Sequence, residues 1–139
     1  MTMTVSDHHE LTRMWVDIWN GDLSLIDIAV HEDFVSHTAP LAGGPVADSH
    51  GRLSLSGWIS ASHTLLEDLT FTVEVGPLVD EPHIALRWYA TGTHDGRSVG
   101  FHGTDLLRVA DGLIVEYWLS ADSVWFSQQL GVRELAPLD

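Results

Sequence analysis

Apolar positions recur with a helical period from the start of the chain. Leu11, Met14, Trp15, Ile18 and Trp19 make one stripe, which predicts a helix capped by Ser6 and ended at Asn20-Gly21. Asp22 is positioned to cap a second, short helix through Leu23, Ile26 and Val30. Asp33–Thr38 reads as a strand, and Ala39–His50, with Pro40, Gly43, Gly44 and Pro45, reads as a loop. Helical spacing returns at Leu55, Trp58, Ile59, Ser62, Leu65 and Leu66, so a third helix is expected to end near Asp68. The period then switches to two. Leu69, Phe71, Val73 and Val75 alternate with Thr70, Thr72 and Glu74, the pattern of a half-buried strand. Strands at about His83–Thr93 and Val99–Val109 join across Asp95-Gly96, a strong hairpin signal. Asp111-Gly112 turns the chain into a strand from Leu113 to about Ala121. Asp122 then caps a last helix closed by Gly131.

Helices first, then a run of antiparallel strands, predict an α+β fold. The expected form is a cone-shaped α+β barrel: a curved, mostly antiparallel sheet wrapped around three N-terminal helices, with a short C-terminal helix. Such a sheet encloses a cavity, where small ligands bind. No internal repeat or composition shift divides the chain, so residues 1–139 read as one domain, with 1–5 and 132–139 expected to be flexible.

Composition narrows the chemistry. Six basic residues, all arginine, face 20 acids, for a formal charge of −14, and there is no cysteine. Thiolate nucleophiles, disulfides, Cys-ligated metals and lysine Schiff bases are thereby excluded. The negative charge argues against nucleic acid and anionic membrane as partners. The first ten residues lack a signal peptide's basic and apolar regions, and no apolar run is long enough to span a membrane, so a soluble cytoplasmic protein is expected. No HExxH occurs, and His31 and His37 lie six apart with no carboxylate spacing to complete a site, so no metal is expected. His8-His9 falls on a terminus expected to fray. GxGxxG and P-loop motifs are missing, and Ser54 lacks the preceding Gly of a nucleophile elbow, so no cofactor is expected.

Three segments carry a family resemblance: His31-Glu-Asp-Phe-Val-Ser-His37, Ile84-Ala-Leu-Arg-Trp-Tyr-Ala-Thr-Gly-Thr-His94, and Phe101 through Trp118. They resemble the SnoaL-like polyketide cyclases, and the closing Gln128-Gln-Leu-Gly131 is similar too. This family has the nuclear-transport-factor-like cone fold of ketosteroid isomerase, scytalone dehydratase and limonene epoxide hydrolase. The resemblance spans about Leu11 to Gly131 and implies a back-to-back homodimer. It is specific for fold and weak for reaction, because the superfamily hosts isomerases, cyclases, dehydratases, hydrolases, hydroxylases and binders. Two features depart from it. The turn between the long strands is only His94-Asp-Gly-Arg97, and the cyclases' last-strand acid/base Asp corresponds to Leu119.

Alternation puts Phe101, Gly103, Asp105 and Leu107 on one strand face and His102, Thr104, Leu106 and Arg108 on the other. The resemblance places the first face inward, making Asp105 a cavity carboxyl of raised pKa, able to act as base or as protonated donor. Its alternative is an Asp bonded to backbone groups or an Arg. His37, at the end of the first strand, is the second catalytic candidate, as a proton carrier near neutral pH. Its alternative is a rim His held by the following loop. Trp15, Phe34, Trp58 and Trp88 are candidate walls for a flat ligand, with ordinary core packing as the competing reading. Tyr117 and Leu119 line the cavity if Asp105 does. His63 flanks the third helix's apolar stripe, as packing or as substrate contact. His102 faces outward toward a dimer contact, together with Leu106 and either Trp88 or Tyr89. Arg87 serves a dimer partner, Glu116 or a substrate carboxylate. The expectation is a cofactor-free acid–base enzyme, of cyclase, isomerase, hydratase or hydroxylase type, for a polyketide-like or polycyclic substrate. Its rivals are a non-catalytic binder and a hydroxylase-like member that needs a partner reductase.

Overall fold

A capping box starts α1 (Val5–Trp19): the Thr4 hydroxyl accepts from the Asp7 N–H, and the Asp7 carboxylate accepts from the Thr4 N–H. In this computed structural model the described residues are 2–39 and 44–132. The cap is therefore Thr4 rather than Ser6, because only Thr4 has the Asp three residues on that closes the box. This cap lies within residues 1–5, the segment expected to be flexible. His8 is buried in α1, its Nε2 3.1 Å from Glu81, so the frayed terminus expected there is replaced by a packed turn. Residues 133–139, most of the expected flexible tail, lie outside the described residues.

The face of α1 carrying Leu11, Trp15, Ile18 and Trp19 is buried, as the stripe predicts. A 3₁₀ turn at Leu23–Leu25 leads into α2 (Ile26–Ala29), and α3 covers Arg52–Leu65. The strands are β1 (Val30–Thr38), β2 (Ala47–His50), β3 (Glu67–Asp80), β4 (His83–His94), β5 (Arg97–Ala110) and β6 (Leu113–Ala121), and α4 (Ser123–Gln129) follows. Asp95-Gly96 and Asp111-Gly112 each hold two successive positive φ angles, the backbone twist that tight hairpins require.

The six strands form one mixed, unclosed sheet in the order β2-β1-β6-β5-β4-β3. All neighbours are antiparallel except β1 and β6, which run parallel. β2 falls within the stretch expected to be loop: Asp48 and His50 pair antiparallel with His37 and Val35. The core lies between the helices and the concave face of the sheet, where Ile84, Leu86, Ala90, Leu107, Ile114 and Tyr117 are buried. The α+β cone-type architecture follows the sequence pattern.

Candidate active site

Alternation along β5 turns Asp105 inward, and its lateral neighbours across the ladder are Leu86 on β4 and Leu119 on β6. The carboxyl is 3 % exposed and lines a cavity of about 710 Å³. That volume is within the usual range for small-molecule sites. Among the described residues lining the cavity, Asp105 is the one carboxylate, and there is no Arg or His.

Three side chains donate to Asp105. Trp88 Nε1 and Tyr117 OH reach Oδ1 at 2.9 and 2.8 Å, and Trp15 Nε1 reaches Oδ2 at 3.0 Å. A carboxylate offers about four acceptor positions, so one remains on Oδ2. Burial pushes the Asp105 pKa up to about 6, against the opposing pull of the three hydrogen bonds. Burial, with the Asp105 charge and hydrogen bond beside it, holds the Tyr117 phenol well above its ordinary range, so Tyr117 remains a donor. Gly103 makes this arrangement possible. It pairs with Trp88, and a Cβ at position 103 would fall within the Trp88 ring. Any other residue there would push the indole away from Asp105.

His37 is not part of this constellation. On β1 the buried positions are Val30, Phe34 and Ser36, so His37 falls on the opposite face, stacked on Trp118. Its Nδ1 lies 2.6 Å from Asp48 and its Nε2 2.7 Å from Glu116, which also accepts from Arg108 Nε at 2.8 Å. Hydrogen bonds to Asp48 and then Glu116 raise the His37 pKa. Burial alone would raise Glu116, and its bonds and charge contacts with Arg108 and His37 more than reverse this. The expected pairing of His37 with Asp105 is thus corrected: the two side chains leave the sheet on opposite sides. Arg108, rather than Arg87, takes Glu116.

The family model described as SnoaL-like polyketide cyclase matches residues 9–130. The chain belongs to the SnoaL-like polyketide cyclase family. Similar solved structures in and around it include IdmH, a proposed polyketide cyclase from Streptomyces antibioticus, at 28 % identity. The match covers 89 % of this chain and 98 % of IdmH, with a TM-score of 0.77. A proposed polyketide cyclase from Bacillus cereus is also 28 % identical, over 87 % of this chain and 78 % of that one, with a TM-score of 0.71. AclR, a proposed hydroxylase from Streptomyces galilaeus, shares the fold at 24 % identity over 92 % and 98 % of the chains, with a TM-score of 0.75. No curated protein sequence matches this chain. The family points to an enzyme acting on small molecules.

Of the other candidate residues, Trp15, Trp58, Trp88, Tyr117 and Leu119 of this SnoaL-like chain line the cavity. Phe34 does not: it is buried core, tilted against Trp15 at 6.2 Å. His63 does not either; its Nε2 donates to the Trp19 carbonyl at 2.7 Å, tying α3 to α1. His102 faces outward as expected and contacts Glu74 of its own chain at 2.9 Å. Trp88 is inward, so Tyr89 is the outward aromatic of that pair. The sequence reading missed Trp19, Phe71 and Phe101 as lining residues. A signal was present for each: Phe101 shares the Asp105 face, Phe71 the apolar face of β3, and Trp19 the stripe of Trp15.

Proposed function

We propose that the protein is an acid–base enzyme acting on a hydrophobic, polyketide-like or polycyclic small molecule, with Asp105 as its proton carrier. The observation that carries this reading is a single carboxyl, with one open acceptor position, among the described residues lining a largely apolar cavity. A base with a pKa of about 6 is largely ionised at neutral pH and still basic enough to take a proton from an activated carbon. With His37 outside, Asp105 both removes the proton and returns it, which favours isomerase- or cyclase-type steps that begin and end with a neutral substrate.

The reading is tested with 2-tetralone in D2O, by following loss of the proton signal between its carbonyl and ring. The wild-type protein is expected to accelerate exchange over buffer. Asp105→Asn should lower that exchange by about 10²–10⁴-fold with the ketone still bound. A second reading is a non-catalytic binding protein, favoured by the outward His37 and by Leu119 directly across from Asp105. Binding of the ketone with exchange no faster than buffer would select it. A homodimer through the outer sheet face belongs to the same proposal, since Leu106 stands 39 % exposed there. A sedimentation mass of 15.3 kDa would refute the dimer.

A further inference from the structure

Helix α4 is fastened to the sheet where β5 runs past the end of β6. The ladder between these strands stops at Gly103 and Ala121, with one further bond from the Asp122 N–H to the His102 carbonyl at 3.0 Å. Gly100 lies beyond that end, and the Gln129 side chain stands in for a strand. Its Oε1 accepts from the Gly100 N–H at 2.9 Å, and its Nε2 donates to the Gly100 carbonyl at 2.9 Å. Nε2 also donates to the Trp125 carbonyl of α4 at 3.1 Å, so both amide protons and the amide oxygen are engaged. Gly100 has a reason to lack a side chain. The Tyr89 hydroxyl occupies the place of its Cβ, as the Trp88 ring does at Gly103.

The next residue, Phe101, lines the cavity. Its ring centroid is 4.5 Å from that of the buried Phe126 on α4 and 5.5 Å from that of Trp88, which it meets edge-on at 85°. Trp88 is the residue whose Nε1 donates to Asp105. A hydrogen bond weakens steeply once its donor swings off line, and a close-packed interior passes a displaced ring on to its neighbour. The aim of the Trp88 N–H therefore depends on where Phe101 stands, and Phe101 follows the clasped glycine. Gln129 itself is not among the described residues lining the cavity.

We infer that Gln129 is a positioning residue for Asp105: by clasping Gly100 it fixes Phe101 against Trp88, and so keeps the Trp88 N–H on the carboxyl. The inference rests on the reading of Asp105 as proton carrier, and it adds a residue outside the cavity that controls one of the carboxyl's donors.

Gln129→Met tests it, since Met keeps the length and the neutrality of the side chain and loses the clasp. The Asp105 carboxyl carbon is titrated by NMR, together with the Trp88 indole proton and the pH–rate profile of 2-tetralone exchange. Weaker donation should move the Asp105 titration and the exchange limb to higher pH together, by about one pH unit. The Trp88 indole proton should move upfield. Tyr117 is the one other titratable group among the described lining residues, and it stays protonated, so the limb reports Asp105. A lower melting temperature with the Asp105 titration and the Trp88 proton unmoved would make Gln129 a tether for α4 alone and overturn the inference. If the variant does not fold, hydrogen exchange in the wild-type protein decides. The Gly100 amide and the Trp88 indole are expected to share one level of protection. A Gly100 amide that exchanges freely while the Trp88 indole stays protected would overturn the inference. Ketone exchange no faster than buffer in the wild type would remove the proton-carrier reading, and the Asp105 titration would still decide the role of Gln129.

Discussion

Asp105 is held near a pKa of about 6 by opposed effects: burial raises it, and donation from Trp15, Trp88 and Tyr117 lowers it. Because the folded value lies above that of an unfolded Asp, folding is penalised when the group is ionised. The penalty is absent below pH ~4, grows between about 4 and 6, and is ~3 kcal/mol above that. The same balance sets the chemistry, since a base must be ionised to act, and exchange should rise through pH 6 to a plateau. Tyr117→Phe removes one of the lowering bonds and keeps the ring. Its pH–rate profile is expected to rise at higher pH than wild type, at a stability cost of about 1.5–3 kcal/mol for a lost bond to a charged group. An unmoved limb would show that Asp105 is not the titrating base. Alternation separated the two faces of β5, and the family resemblance said which of them, the one with Phe101, Gly103, Asp105 and Leu107, turns inward. The donors to Asp105 were not legible as donors, since Trp15 is 90 residues distant in the chain and only the folded sheet brings the two together. His37 was misjudged for a different reason. Phe34 and Val35 are adjacent apolar residues, so β1 carries no clean period, and parity was decided by packing that the sequence does not express.

At the level of elements, His37 holds the sheet's edge together. Asp48 lies on β2 and Glu116 on β6, and the imidazole on β1 bridges them. Only the doubly protonated ring donates to both carboxylates. Its folded pKa is raised above 6.5, so the stabilisation is full below the unfolded value and is lost as pH rises through the folded one. His37→Ala is expected to lower stability by about 1–2 kcal/mol below pH 6, allowing for the solvent that reaches Asp48. The difference from wild type should shrink in alkaline buffer, as read by thermal melts across pH. Exchange catalysed by Asp105 should keep its pH limb in this variant, and a shifted limb would return His37 to the catalytic chemistry. The position of β2 also explains what the sequence hid. Four residues pairing at an edge beside Pro and Gly give too short a pattern to separate strand from loop. The parallel contact of β1 with β6 joins segments that no local turn connects. The two Asp-Gly hairpins, by contrast, were readable because each encodes its own backbone twist.

For the whole molecule, the charge of −14 and the apolar cavity bear jointly on which ligands can enter. Six arginines cannot neutralise 20 acids, so the exterior repels anions at a distance, and the repulsion weakens as salt screens it. The interior reinforces that selection. Arg87 is exposed on the outer face, paired across the ladder with Thr104, so the substrate-carboxylate role considered for it has no geometric basis. No other cation stands among the described lining residues, and an anionic ligand would bring a second negative charge beside Asp105. A carboxylate moved into such a site loses its water and gains no cationic partner among the described lining residues, a cost of several kcal/mol. Tetralin-2-carboxylate should therefore bind about a hundredfold or more weaker than 2-tetralone at pH 8. Its association rate should climb with ionic strength while that of the ketone stays flat. Protonation should recover part of the difference, so the gap should narrow as pH falls toward 5, where both the ligand and Asp105 begin to take up protons. Comparable affinity for the two compounds at pH 8 would mean that a cation reaches the ligand, and the assignment of the cavity to neutral molecules would fall with it.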